Sequence, residues 1–224
     1  EDNWTGKQLQ FFDRFHHDHF DSEVARREYW SHFGRPKGML CGEWTPRYAA
    51  SWWAMPLLGQ LAPDTKILMT LRDPVVRYES NVAHNLKNRV RDHGLSVECD
   101  DRGPLAAVWS EESWWWGLYM PQVRRVLDHY PREQVLFLQY EKMARDPKAE
   151  YQRTLEFLGL EPFDPPGVDE RLNASGAGAG EYVLDDRQRQ HLALSYRDDI
   201  QELGRMIPEL DLDLWTHDRT TIPQ

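Results

Sequence analysis

Arg72 closes a short apolar run, Ile67-Leu-Met-Thr-Leu71, and Ser80 follows eight positions later with His84 one further turn on. A guanidinium is a planar fork matched to phosphate oxygens, and a nearby hydroxyl adds a neutral donor to the same anion. An imidazole on the same face adds a group that takes or gives a proton near neutral pH. At about 100° per residue, Val75, Tyr78, Val82, Leu86 and Val90 fall on one side of a helix. Arg77, Ser80, His84, Lys87 and Arg91 fall nearly opposite. By periodicity alone this second stripe reads as a solvated charged face. It starts at the C-terminal end of a strand, where open α/β sheets bind ligands, which leaves an anion site as the alternative. His84, opposite the apolar stripe, is expected outside the core.

The elements that must position these residues are βα units. Apolar runs bounded by turn residues alternate with helical stretches, the pattern of a parallel sheet. Met39-Leu40-Cys41-Gly42-Glu43 is a candidate short strand, followed by Thr45-Pro46 and a helix towards Leu61. Lys66 to Leu71 reads as a buried strand, with Asp73-Pro74 opening a helix to about His93. Gln134 to Tyr140 is the third strand, and Asp146-Pro147 opens the helix after it. Asp before Pro is a good helix start, because the carboxylate accepts from free N–H groups and Pro sacrifices no bond at the first position. Tyr151, Leu155 and Leu158 form the buried stripe of that helix, and Gly159 stops it. A last helix, roughly Asp185 to Ile207, carries Leu192, Tyr196, Ile200, Leu203 and Ile207 at helical spacing. Before it, Asn173 to Gly180 is a glycine-rich loop, either a linker or a ligand-closing segment.

With 224 residues the chain suits a single domain. Its net charge of −10 opposes nucleic-acid binding, which rests on neutralising phosphates, so any anionic ligand must be held locally. No apolar stretch is long enough to span a bilayer. The two cysteines, Cys41 and Cys99, lack metal-ligand spacing and read as reduced thiols of a cytoplasmic protein. Ten tryptophans are unusual, and several, such as the Trp114-Trp115-Trp116 run, are candidates for the core.

Arg72-Asp-Pro-Val-Val-Arg-Tyr-Glu-Ser80 resembles the 3′-phosphate-binding motif of the sulfotransferases that use 3′-phosphoadenosine 5′-phosphosulfate (PAPS). Three further blocks are similar to the heparan sulfate 3-O- and N-sulfotransferases, in the same order: Phe11-Phe12-Asp13-Arg14, Gly42-Glu43-Trp44-Thr45-Pro46-Arg47-Tyr48, and Tyr140-Glu141 to Pro147 followed by Phe157-Leu-Gly-Leu160. A weaker echo lies at Leu210 to Trp215. The resemblance implies an α/β, P-loop NTPase-like three-layer fold with a central parallel sheet flanked by helices. It also implies PAPS as co-substrate and PAP as product, no metal, and in-line transfer to a hydroxyl or amine of a carbohydrate or other small acceptor. Carried over by position, it assigns Arg72 and Ser80 to the donor's 3′-phosphate, Arg171 to the nucleotide, and Lys7, Gln10 and Trp44 to the acceptor. His84 matches a histidine near the acceptor.

Two departures from the pattern stand beside the match. The family's acidic base falls at Gln8, an amide that cannot serve as a base near neutral pH, which leaves Glu43 and His84 as replacements. Glu43 reads equally as a structural carboxylate bonded to nearby backbone. Trp44 replaces a family lysine, which suggests a less anionic acceptor that stacks on aromatic rings. The second departure is the 5′-phosphosulfate loop, expected before Lys7; Gly6-Lys7 alone lacks the upstream glycines of a phosphate cradle. The sequence opens Glu1-Asp-Asn without Met, and we expect the intact gene product to carry this loop and the first strand upstream of a single sulfotransferase domain spanning 1–224. The rival reading is a non-catalytic relative that binds nucleotide or glycan. A P-loop kinase is disfavoured, because ATP lacks the ribose 3′-phosphate that Arg72 and Ser80 suit. The sequence does not specify an oligomeric state.

Overall fold

The structure, a computed structural model, describes residues 8–16, 20–34, 39–93, 111–168 and 184–215. Lys7, Cys99, Arg171 and the Asn173–Gly180 loop lie outside the described residues. In chain order the elements are α1 (Ser22–Ser31), α2 (Arg47–Ala50), α3 (Ala54–Leu61), β1 (Ile67–Leu71), α4 (Pro74–His93), α5 (Glu111–Trp115), α6 (Tyr119–Leu127), β2 (Val135–Gln139), α7 (Tyr140–Arg145), α8 (Pro147–Leu158) and α9 (Asp186–Met206). β1 and β2 pair in a parallel two-stranded sheet among helices, the α/β class expected. The described residues of 1–67 and 121–135 form one compact unit, and those of 68–120 and 136–224 a second.

In the first unit α1, α2 and the 3-10 turn Phe11–His16 all pack on α3. Its core is aromatic: Phe12 is buried between Phe11, Tyr29 and Tyr48, with ring centroids 5.1 to 5.4 Å apart. Asp21 caps α1 by accepting from the Glu23 and Val24 N–H groups. Arg26 donates to the Leu61 and Gln60 carbonyls and so satisfies the end of α3. The expected strand Met39–Glu43 does not form. Its residues have no ladder partner among the described residues, and Met39 and Leu40 stand exposed. An apolar run becomes a strand only where a neighbouring backbone offers the complementary hydrogen bonds. The helix expected from Thr45 towards Leu61 is broken into α2 and α3 around Ser51 to Trp53.

In the second unit the sequence pattern is followed closely. Asp73 caps α4, its Oδ1 accepting from Val75 N–H at 2.9 Å and Val76 N–H at 3.3 Å. Val75, Tyr78 and Val82, the described part of the apolar stripe, are buried. α4 packs on α9, where Arg189 pairs with Glu79 at 2.8 Å. α8 begins at Pro147 behind the Asp146 cap and ends at Gly159 in the left-handed region, φ 75°. α9 opens with a capping box between Asp185 and Gln188, and its Asp199 accepts from the Tyr119 and Met120 N–H groups at the start of α6. Every residue of β2 is buried. β1 is buried on alternate positions only, with Leu68 44% exposed, whereas the sequence reads as a strand buried on both faces. β2 is its one strand neighbour among the described residues. The Trp114 to Trp116 run is not core: Trp115 is exposed and Trp114 stacks on Tyr196, while among the described residues Trp215 is the tryptophan that is fully buried.

Candidate functional site

The nucleotide-side candidates belong to the second unit. Arg72 leaves the end of β1 and is half-buried. Its main chain is clasped by Tyr119, whose hydroxyl donates to the Arg72 carbonyl at 2.8 Å and accepts the Arg72 N–H at 3.3 Å. The Arg72 guanidinium lies over the Tyr140 ring, 4.5 Å from its centroid. Its Nε is buried and has no hydrogen-bond partner among the described residues. Burial pushes the Tyr119 phenol up to about 12, so the hydroxyl that clasps Arg72 keeps its proton at any physiological pH.

The turn after Arg72 is held from the end of β2. Glu141 Oε1 accepts the Asp73 N–H at 2.9 Å, and Glu141 Oε2 accepts the indole N–H of Trp215 at 2.9 Å. Asp73 is buried, and its Oδ2 has no partner among the described residues. Buried polar atoms are normally paired, so the unpartnered Arg72 Nε is a donor left for an anion, whereas the Asp73 oxygen is an acceptor and offers an anion nothing. Ser80 is half-buried on α4 and His84 exposed a turn later. From Pro74 to Ser80 the helix rises about 9 Å. Arg77 of the same stripe is turned inward: its guanidinium donates to the Ser113 carbonyl, and Asn81 donates to the Ser113 hydroxyl at 2.8 Å.

The acceptor-side candidates gather in the first unit. Gln10 has φ 52°, the left-handed region that a non-glycine residue enters only when its surroundings hold it there. Its N–H donates to Thr45 Oγ1 at 3.3 Å, and its side-chain amide donates to Gln8 Oε1 at 3.3 Å. Thr45 in turn donates to Glu43 Oε2 at 3.2 Å. Glu43 also accepts from the Tyr29 hydroxyl at 2.7 Å and the Tyr48 hydroxyl at 3.3 Å. Thus the structure brings Gln8, Gln10 and Glu43 together through Thr45. The partners of Glu43 are three side-chain hydroxyls, not the backbone groups expected. Burial raises the Glu43 carboxyl above the usual carboxylate range, and those three donors oppose the rise. Phe12 N–H donates to the Tyr48 hydroxyl and Trp53 donates to the Phe12 carbonyl, so the stretch from Gln8 to Phe12 is latched to the segment from Glu43 to Trp53. Trp44 projects outward from this latch, 73% exposed, and Trp52 is 69% exposed. Tyr119, Tyr140, Glu141 and the Tyr29-Thr45-Tyr48 hydroxyl set escaped sequence reasoning. Tyr140 reads in the sequence as the last residue of the third strand, whereas it opens α7, and its ring partner lies far away in sequence.

Among the described residues no group of three or more His, Cys, Asp and Glu is arranged to hold a metal ion, and no helix is long and apolar enough to cross a membrane.

A family model of the sulfotransferase domain matches residues 45–173, which contain Arg72, Ser80 and the β2–α8 block. The chain belongs to the sulfotransferase family. Among curated relatives, the mouse heparan sulfate glucosamine 3-O-sulfotransferases 3B1 and 3A1 are each 30% identical over 162 residues, covering 70% of this chain and 39% of their own length. The chain therefore spans about two fifths of the curated relatives it matches. A crystal structure of a sulfotransferase from Alicyclobacillus acidocaldarius superposes with a TM-score of 0.56 at 26% identity, covering 76% of this chain and 65% of that one. The chain thus shares both the sequence pattern and the P-loop-like α/β fold of the family.

Proposed function

We propose that the protein moves a sulfuryl group from PAPS to a hydroxyl or amine of a carbohydrate or other small-molecule acceptor, through one sulfotransferase domain that needs no metal. The observation that carries this reading is Arg72, fixed at the end of β1 with a buried, unsatisfied Nε inside the family's matched segment. Arg72 and Ser80 grip the donor's 3′-phosphate, with Arg171 reaching the nucleotide. Sulfuryl transfer asks mainly for orientation and for stabilisation of charge on the oxygens around sulfur. The acceptor loses one proton as its oxygen or nitrogen bonds to sulfur, and the bond from sulfur to the phosphate oxygen breaks to release PAP. Glu43 or His84 takes that proton in place of the amide at Gln8. Gln10, Lys7 and the outward Trp44 meet the acceptor, and the exposed indole suits a sugar face or an apolar ring better than a polyanion.

A second reading is supported by the acceptor-side geometry. With an amide at Gln8 and three hydroxyls donating to Glu43, the domain also fits a non-catalytic relative that binds nucleotide or glycan. Transfer of radiolabelled sulfate from PAPS by the full-length protein, across a panel of sugars, phenols and amines, separates the two. Label in an acceptor supports the enzyme; binding of 3′,5′-ADP with no labelled product on any acceptor supports the binding module.

A further inference from the structure

We propose that Tyr140 is the positioning residue that aims the Arg72 fork, and that this stack sets the preference for nucleotides bearing a 3′-phosphate. The inference rests on the nucleotide reading above.

Arg72 and Tyr140 occupy equivalent places, each the first residue beyond one of two paired parallel strands, β1 and β2. The strand pairing therefore fixes where both backbones emerge. The Tyr119 clasp removes freedom from the Arg72 main chain, and Glu141 bonded to the Asp73 N–H and the Trp215 indole ties the two turns together. With both backbones held, what remains free is the guanidinium's own rotation. The ring of Tyr140, 4.5 Å from the guanidinium carbon, restrains it.

The geometry of the two attractions makes them compatible. An aromatic ring attracts a cation through its face, whereas phosphate oxygens approach a guanidinium in its plane, along the N–H bonds. A ring under the guanidinium thus orients the fork without occupying a donor. A carboxylate in the same place would orient it equally well but would consume the N–H groups and cancel the charge. Tyr140 keeps 41% of its surface exposed, so it does not fill a hole in the core, and its replacement leaves the interior intact.

Calorimetry with the full-length protein tests this, using 3′,5′-ADP and 5′-AMP as the pair of nucleotides that differ in the 3′-phosphate. Y140L should weaken 3′,5′-ADP binding by about three- to tenfold and leave 5′-AMP binding unchanged. Y140F and Y140W, which keep a ring face, should bind as the wild type does. Equal weakening of both nucleotides by Y140L, or no weakening while R72A selectively loses 3′,5′-ADP, overturns the role of Tyr140 and spares the nucleotide reading. If R72A binds 3′,5′-ADP as tightly as the wild type, the nucleotide reading itself falls, and the inference falls with it.

Discussion

The Tyr29 hydroxyl donates to Glu43 Oε1 at 2.7 Å, the shortest of three hydroxyl bonds on that carboxylate. One side chain thereby connects α1 with the segment that carries Thr45 and Trp44, and through Thr45 with Gln10 in its left-handed conformation. Removing the carboxylate leaves three hydroxyl groups without their acceptor. E43A should therefore cost about 2 kcal/mol or more of folding stability, read from urea unfolding.

The same carboxylate carries a pH signature. Its folded-state value is raised by burial, so its contribution to stability is fully present below the ordinary 4.5 and is lost as pH rises through the raised value. The stability of wild type minus that of E43Q should fall from pH 4.5 towards neutrality. A difference that grows with pH would mean that the three donors outweigh burial.

Tyr119 supplies a test at the alkaline end. Burial lifts its phenol from 10.0 to about 12, so the folded state favours the neutral form and the contribution is lost as pH rises from 10 to about 12. Wild type should lose stability relative to Y119F across that interval, followed by urea unfolding. A constant difference would show that the hydroxyl clasping Arg72 is not desolvated.

Close packing at one glycine gives a fourth expectation. A Cβ on Gly117 would lie 2.5 Å from Tyr196 Cζ and Oη, and that ring is buried and donates to the Trp114 carbonyl at 2.9 Å. G117A should destabilise by about 1–3 kcal/mol, because the ring cannot move without losing its bond. G204A meets only the methyl end of Leu212 and should cost less. Thermal or urea unfolding of the two variants side by side checks the ranking.

Acceptor preference should follow Trp44. Because the indole is 73% exposed beside the Gln10-Thr45-Glu43 latch, its loss should change acceptor handling and leave the fold intact. W44A should raise the acceptor KM several-fold with an unchanged donor KM, and W44K should shift preference towards anionic acceptors. Equal KM values for every acceptor in the three proteins would exclude this residue from recognition.

The local part of this architecture was legible in the sequence. Asp73-Pro74, Asp146-Pro147 and Gly159 mark helix ends by their own chemistry, and the stripes of α4 and α9 declare which faces are buried. Such signals need only neighbours within a few turns. Met39–Glu43 misled because an apolar run says nothing about whether a strand partner lies beside it. The clasp on Arg72 was illegible for a related reason: Tyr119 lies 47 positions away, and Glu141 stands 68 from Asp73. Likewise the shortest bond on Glu43 comes from Tyr29, 14 positions away, while Thr45 and Tyr48 stand two and five positions on, so sequence showed a carboxylate with candidate roles and the fold supplied its partners.

The central claim, that Arg72 and Ser80 form a site for a ribose 3′-phosphate, is tested most directly by calorimetric titration of the full-length protein with 3′,5′-ADP in the presence and absence of excess ATP. The account predicts saturable binding of 3′,5′-ADP that ATP does not displace and that S80A weakens. Displacement by ATP, or tight ATP binding with none of 3′,5′-ADP, would contradict it.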